Sequence, residues 1–170
     1  MKYGFALAFL ALAAPAFAAG AGPADRRTIA ACLKSATDTP DSCIGKVSEP
    51  CRDTPEGSST PGMEGCDARE LAVWDERLND AYRKLVEGDL GQTDALPENR
   101  PAEARRDRPA KGAEIIRDMQ RSWLAFRVRK CDVNAMTSEG GTLSRVLYSS
   151  CVMTETGRQA LFLQSLAEPQ

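Results

Sequence analysis

The sequence contains no histidine. The commonest general base and the commonest metal ligand are therefore both missing. It has no Cys-x-x-Cys pair, which weakens a metal reading further. No run alternates apolar and polar residues convincingly enough for a strand, and there is no hairpin signal or internal repeat. After the N-terminal segment, no stretch is apolar enough to span a bilayer. Aromatic residues make up only 6% of the chain, so its two tryptophans must carry much of any core. The net charge of −2 gives no general affinity for nucleic acid. These absences leave few routes to catalysis. Ser58-Ser59 and Ser149-Ser150 have no base placed beside them, and Glu70, Asp75, Glu76 and Asp80 read as solvated carboxylates on one helix. Gly140-Gly141 could hold an anion ahead of a helix, although a turn accounts for it equally well. The expectation is a protein that is not an enzyme and uses no cofactor or metal.

Residues 1–18 read as a secretory signal peptide. Lys2 supplies the positive start, residues 5–14 are apolar, and Ala16-Phe17-Ala18 is a small-x-small cleavage site. The first cysteine is Cys32, far from that site, so no lipid anchor is expected. Residues 19–170 then suit a single exported domain, periplasmic or secreted. Charge is uneven along it. Residues 38–98 hold 15 acids against 6 bases, whereas residues 100–130 hold 10 bases against 4 acids.

All six cysteines (Cys32, Cys43, Cys51, Cys66, Cys131 and Cys151) lie beyond the signal segment. An even number in an exported chain points to three disulfides. Six cysteines allow about 15 connectivities, and helical geometry favours one of them. Cys32 and Cys43 flank a turn between a helix over 28–36 and a short helix begun by Thr39-Pro40. Cys131 and Cys151 flank the Gly-rich tip at 137–141 of a helical hairpin. Cys51 and Cys66 are left to close a Pro-, Gly- and Ser-rich loop over 52–65.

Helical periodicity is strongest over 66–85, where Leu71, Trp74, Leu78, Ala81 and Leu85 step by three and four residues, with Asp67 as the expected N-cap. Ile116, Met119, Trp123 and Phe126 form a second seam over 114–133 and are expected to pack against the first, each seam with a central buried Trp. Asp75, Asn79, Gln120 and Arg127 would join the two helices in a polar network. A last helix over 142–166 carries Leu143, Leu147, Cys151 and Thr154 on one face, with Gly157 as a bend or break. Between the central helices, residues 88–112 form a long insertion in which 102–108 suits a helical turn. The expected fold is all-α, a small helical bundle stapled by three disulfides.

One pattern runs Met63-x-x-Cys66, Glu70, Trp74-Asp75-x-x-Leu78-Asn79-x-x-Tyr82. It resumes at Gln120-Arg121-x-Trp123-x-x-Phe126-Arg127-x-x-x-Cys131, then Gly140-Gly141-Thr142 and Cys151. Over residues 61–166 it resembles the LprI-like lysozyme inhibitor family, small exported helical domains bearing cysteines. The Cys32/Cys43 segment, the 88–112 insertion and the missing lipidated cysteine are departures from that family.

The resemblance implies binding and inhibition of a lysozyme-type peptidoglycan hydrolase; a cell-envelope binding or structural module without inhibition is the alternative. Such an enzyme works with carboxylates in a cleft, and an acidic patch would speed encounter with a basic one. Two loops could plug the cleft. The preferred one is 52–65, with Arg52, Ser58, Ser59 and Thr60; the second is the tip with Glu139, Gly140 and Gly141.

Overall fold

The computed structural model describes residues 21–94 and 111–167. The signal peptide expected at 1–18 and the turn expected at 102–108 lie outside them. Among the described residues six helices follow in order: α1 (Pro23–Ser35), α2 (Ser48–Arg52), α3 (Thr60–Glu87), α4 (Asp89–Gln92), α5 (Gly112–Met136) and α6 (Thr142–Ala167). A 3-10 turn at Pro40–Cys43 lies between α1 and α2, and no strand occurs among the described residues. The fold is all-α, as the periodicity indicates. The three disulfides join Cys32 to Cys43, Cys51 to Cys66 and Cys131 to Cys151, with Cα atoms 5.7, 5.6 and 5.5 Å apart.

Helix α3 begins earlier than its apolar stripe suggests. Ser59, not Asp67, is the N-cap: its hydroxyl accepts the Gly62 N–H at 3.2 Å, and Pro61 sits in the first turn, where a missing N–H costs nothing. Asp67 is buried in the second turn, paired with Arg52 and accepting the Ser149 hydroxyl at 2.6 Å.

The main partner of α3 is α6 rather than α5. Gly157 is what lets α6 approach. A Cβ at this position would lie 3.0 Å from the Ile44 side chain and 3.3 Å from the Trp74 ring. The residue that read as a helix breaker is a close-packing point in a continuous helix. The buried face of α6 carries Val146, Met153, Thr156, Ala160 and Leu163, so Leu143, expected to be inward, is exposed. Trp74, Ile29, Leu78 and Leu163 form the centre of the core.

The second seam is correspondingly less buried than expected. Ile116 is in the core, Met119 and Trp123 are only partly covered, and Phe126 is 58% exposed. The anticipated network between α3 and α5 does not form. Asn79 donates to Asp75 within α3 at 3.0 Å, Gln120 accepts from Gln159 at 3.1 Å, and Arg127 donates to Thr156 at 2.8 Å.

Glu70, expected among solvated carboxylates, is fully buried. One of its oxygens accepts the Gly45 N–H at 2.6 Å and the Trp74 indole N–H at 2.9 Å. The other accepts the N–H groups of Val47 and Ser48 at 2.8 and 2.7 Å. A single carboxylate thus satisfies the turn that leads into α2, where unpaired buried amides would be costly. Where the 88–112 insertion leaves and rejoins the bundle, its ends meet: the Gly112 N–H donates to the Thr93 carbonyl at 2.7 Å.

Candidate functional site

Helices α3 and α6 run side by side in the same direction, as the pairs Glu64–Arg145, Asp67–Ser149 and Arg77–Gln164 show. Helix α5 runs the other way. Both loops singled out in the sequence therefore lie at one end of the bundle, with the 2.9 Å Arg145–Glu64 ion pair between the helices that follow them.

The two loops differ in how much they offer. In the first, Arg52 is committed to Asp67. Gly57 is buried against the chain, and a Cβ there would fall 1.9 Å from the Cys51 carbonyl oxygen. Thr54 accepts the Gly57 N–H and donates to the Cys51 carbonyl, closing the turn on itself. Ser59 caps α3 and Thr60 is its first residue. Only Ser58 and Ser59 of the expected binding residues here are exposed, and the free loop is shorter than the spacing implied.

The α5–α6 hairpin stands on a stem held at four levels. Moving towards the tip, these are the Arg127–Thr156 hydrogen bond, the 2.9 Å Lys130–Glu155 ion pair, the Cys131–Cys151 disulfide, and the Asn134 amide donating to the Leu147 carbonyl at 3.0 Å. Glu155 also pairs with Arg158 at 2.6 Å. Burial pushes the Glu155 pKa up, but the hydrogen bonds from Lys130 and Arg158 and their charges together outweigh it and hold it below the ordinary carboxylate value.

Beyond the stem, Glu139, Gly140 and Gly141 all adopt positive φ, at 54°, 94° and 81°. Glycine takes such angles without strain, whereas a glutamate there is uncommon. Nothing lies within 4 Å of a Cβ built on Gly140 or Gly141, so the tip stands clear of the body. Around it, Met136, Val133 and Leu143 are 73%, 64% and 56% exposed. Three large apolar side chains exposed beside a fixed tip form the kind of surface that partners cover. Periodicity alone hid them, because Leu143 read as a core position and Met136 fell past the end of the expected helix.

The model of the family described as "Lysozyme inhibitor LprI" matches residues 51–163, which take in both loops, two of the three disulfides and the Glu70–Trp74 pair. The chain belongs to the LprI family. Helix α1 and the Cys32–Cys43 disulfide precede the matched LprI region. The chain is also similar to an uncharacterized 17.7 kDa protein from the puhA 5′ region of Rhodobacter capsulatus, at 26% identity over 81% of this chain and 83% of that one. An uncharacterized protein of Rhizobium meliloti is 24% identical over 71% of this LprI-family chain and 82% of its own length. No solved structure matches. Among the described residues no helix is long and apolar enough to cross a membrane, and no cluster suits a metal ion.

Proposed function

We propose that this LprI-family protein binds and inhibits a lysozyme-type peptidoglycan hydrolase, and that the α5–α6 hairpin tip is the part that enters the enzyme's cleft. The observation that carries this reading is the pairing of a rigid stem with an exposed apolar collar. Four ties fix the hairpin before it meets a partner, so little conformational entropy is lost on binding. Met136, Val133 and Leu143 supply apolar area at the rim. The tip supplies donors: the N–H groups of Gly140 and Gly141 and the Thr142 hydroxyl form no hydrogen bond among the described residues. Donors at the start of a helix suit the carboxylates of such a cleft. Glu139 is exposed and free to meet a basic rim.

The first loop contributes Ser58 and Ser59 from the same end of the bundle but is tied down by its own contacts. We therefore favour the tip over the 52–65 loop as the inserted element. The signal segment supports export to the periplasm or beyond, where these hydrolases act.

The experiment is a turbidity assay. Oxidised, purified protein is added to lysozymes of several classes clearing a suspension of cell walls. Slowed clearing of at least one class, saturating near equimolar inhibitor, is expected. Unchanged clearing of all of them contradicts the proposal.

A further inference from the structure

A second site lies on the flank of the bundle, away from the hairpin tip. Between α3 and α5 is a groove of about 310 Å³, with Trp123 and Tyr82 in its wall. That volume is at the small end of the range of about 300–1,000 Å³ for ligand sites. Arg127 lies over the Trp123 ring, 4.8 Å from its centroid, yet does not itself line the groove. It holds the indole in place from outside. The Tyr82 hydroxyl makes no hydrogen bond among the described residues.

The polar groups of the groove are planar and only half used. Gln120 is 8% exposed and accepts from Gln159 through Oε1, which fixes its amide, while its Nε2 has no partner among the described residues. Asn79 donates to Asp75 at 3.0 Å, which leaves the Asn79 carbonyl oxygen and the other Asp75 carboxylate oxygen without a partner among the described residues. Arg117, also in the wall, forms no ion pair among the described residues. A buried amide held by one bond with its N–H donors still unused, beside exposed acceptors and a cation, is what ligand sites, rather than cores, display.

We infer that this groove binds an N-acetylated amino-sugar glycan bearing a carboxylate, the chemistry of peptidoglycan strands. The aromatic pair gives a sugar ring and its acetyl methyl an apolar wall. The Gln120 amide donates to the acetamido carbonyl, Asp75 and Asn79 accept from ring hydroxyls, and Arg117 takes the carboxylate. A peptide fits less well. Both walls are helical, so no sheet edge is open to an extended chain, and a groove of about 310 Å³ is small for a helix's apolar face. The site is separate from the hairpin tip and does not depend on inhibition. It would keep the protein on the same strands that a lysozyme attacks.

The test uses the oxidised protein, with soluble muramic-acid-containing peptidoglycan fragments and N-acetylglucosamine oligomers as probes. Binding is read by calorimetry and by tryptophan fluorescence. Both glycans should bind, the muramic-acid fragments more tightly. Arg117→Ala should cut affinity for those fragments by about tenfold while leaving the N-acetylglucosamine oligomers unchanged. Asn79→Ala should weaken both. These positions are exposed, so unchanged circular dichroism is expected. Met136→Asp/Leu143→Asp should leave glycan binding intact, which separates this site from the hydrolase reading. No binding of either glycan, equal loss with every variant, or binding of acidic peptides in their place overturns the inference.

Discussion

Glu70 accepts the indole N–H of Trp74 at 2.9 Å, one turn along the same helix, while both residues are fully buried. The remaining bonds of the carboxylate go to Gly45, Val47 and Ser48. The pair thus connects the largest ring of the core to the turn between the first two disulfides. Glu70→Ala would strand four buried donors. It should cost about 3–5 kcal/mol, the range for breaking a buried hydrogen-bonded charge. Urea unfolding of the oxidised variant measures this, and a loss under 1 kcal/mol would show that water or rearrangement replaces the carboxylate.

The two tryptophans should not be equivalent. Trp74→Ala empties the centre of the core and should cost about 3–5 kcal/mol. Trp123→Ala removes a partly exposed ring and should cost clearly less. Chemical denaturation of both variants decides it, and equal losses would mean that Trp123 is as deeply packed as its counterpart.

Gly157 should resist enlargement although it lies within a helix. Gly157→Val would push into Ile44 and the Trp74 ring and should cost about 1–3 kcal/mol by overpacking. Thermal melts test this, and an unchanged or higher Tm would mean that α6 can move away from α3 freely.

Much of the fold was legible because helical stripes and cysteine spacing are local signals. Trp74 announced itself through steps of three and four, and Cys131 and Cys151 flanked an obvious Gly-rich turn. What stayed hidden was non-local. The stripe on α3 shows that a face is buried, but not whether α5 or α6 covers it. Glu70 meets amides more than twenty residues away, and no period marks such a partner. The candidate site was half legible. Gly140-Gly141 marked the tip, whereas the exposure of Met136 and Leu143 depends on how α5 and α6 turn relative to α3. Asp67 looks like a cap because it precedes the stripe, whereas Ser59-Thr60-Pro61 lies in a Pro-, Gly- and Ser-rich stretch that reads as loop.

Acid should loosen the hairpin stem. Lys130 and Arg158 hold the Glu155 pKa below its ordinary value of 4.5. A carboxylate depressed in the folded state contributes stability that is fully present above its unfolded pKa and lost as pH falls through the folded one. Melts between pH 7 and pH 3 should therefore show a loss of Tm below about pH 4.5 that is smaller in Glu155→Gln. If the variant and the parent lose Tm in parallel, the ion pairs on the stem do not contribute.

Affinity for a lysozyme reports on the hairpin tip directly. The Kd of the oxidised protein is determined by calorimetry beside two variants that keep the parent Tm: Met136→Asp/Leu143→Asp on the apolar collar, and Ser58→Ala/Ser59→Ala on the first loop. Charging the collar should weaken binding at least about tenfold, since two carboxylates would lose water at an apolar contact, while the first-loop variant should bind within about threefold of the parent, as near-neutral contacts do. Unchanged affinity in the collar variant, with loss in the first-loop variant, would rule out the tip and place the inhibitory surface on residues 52–59.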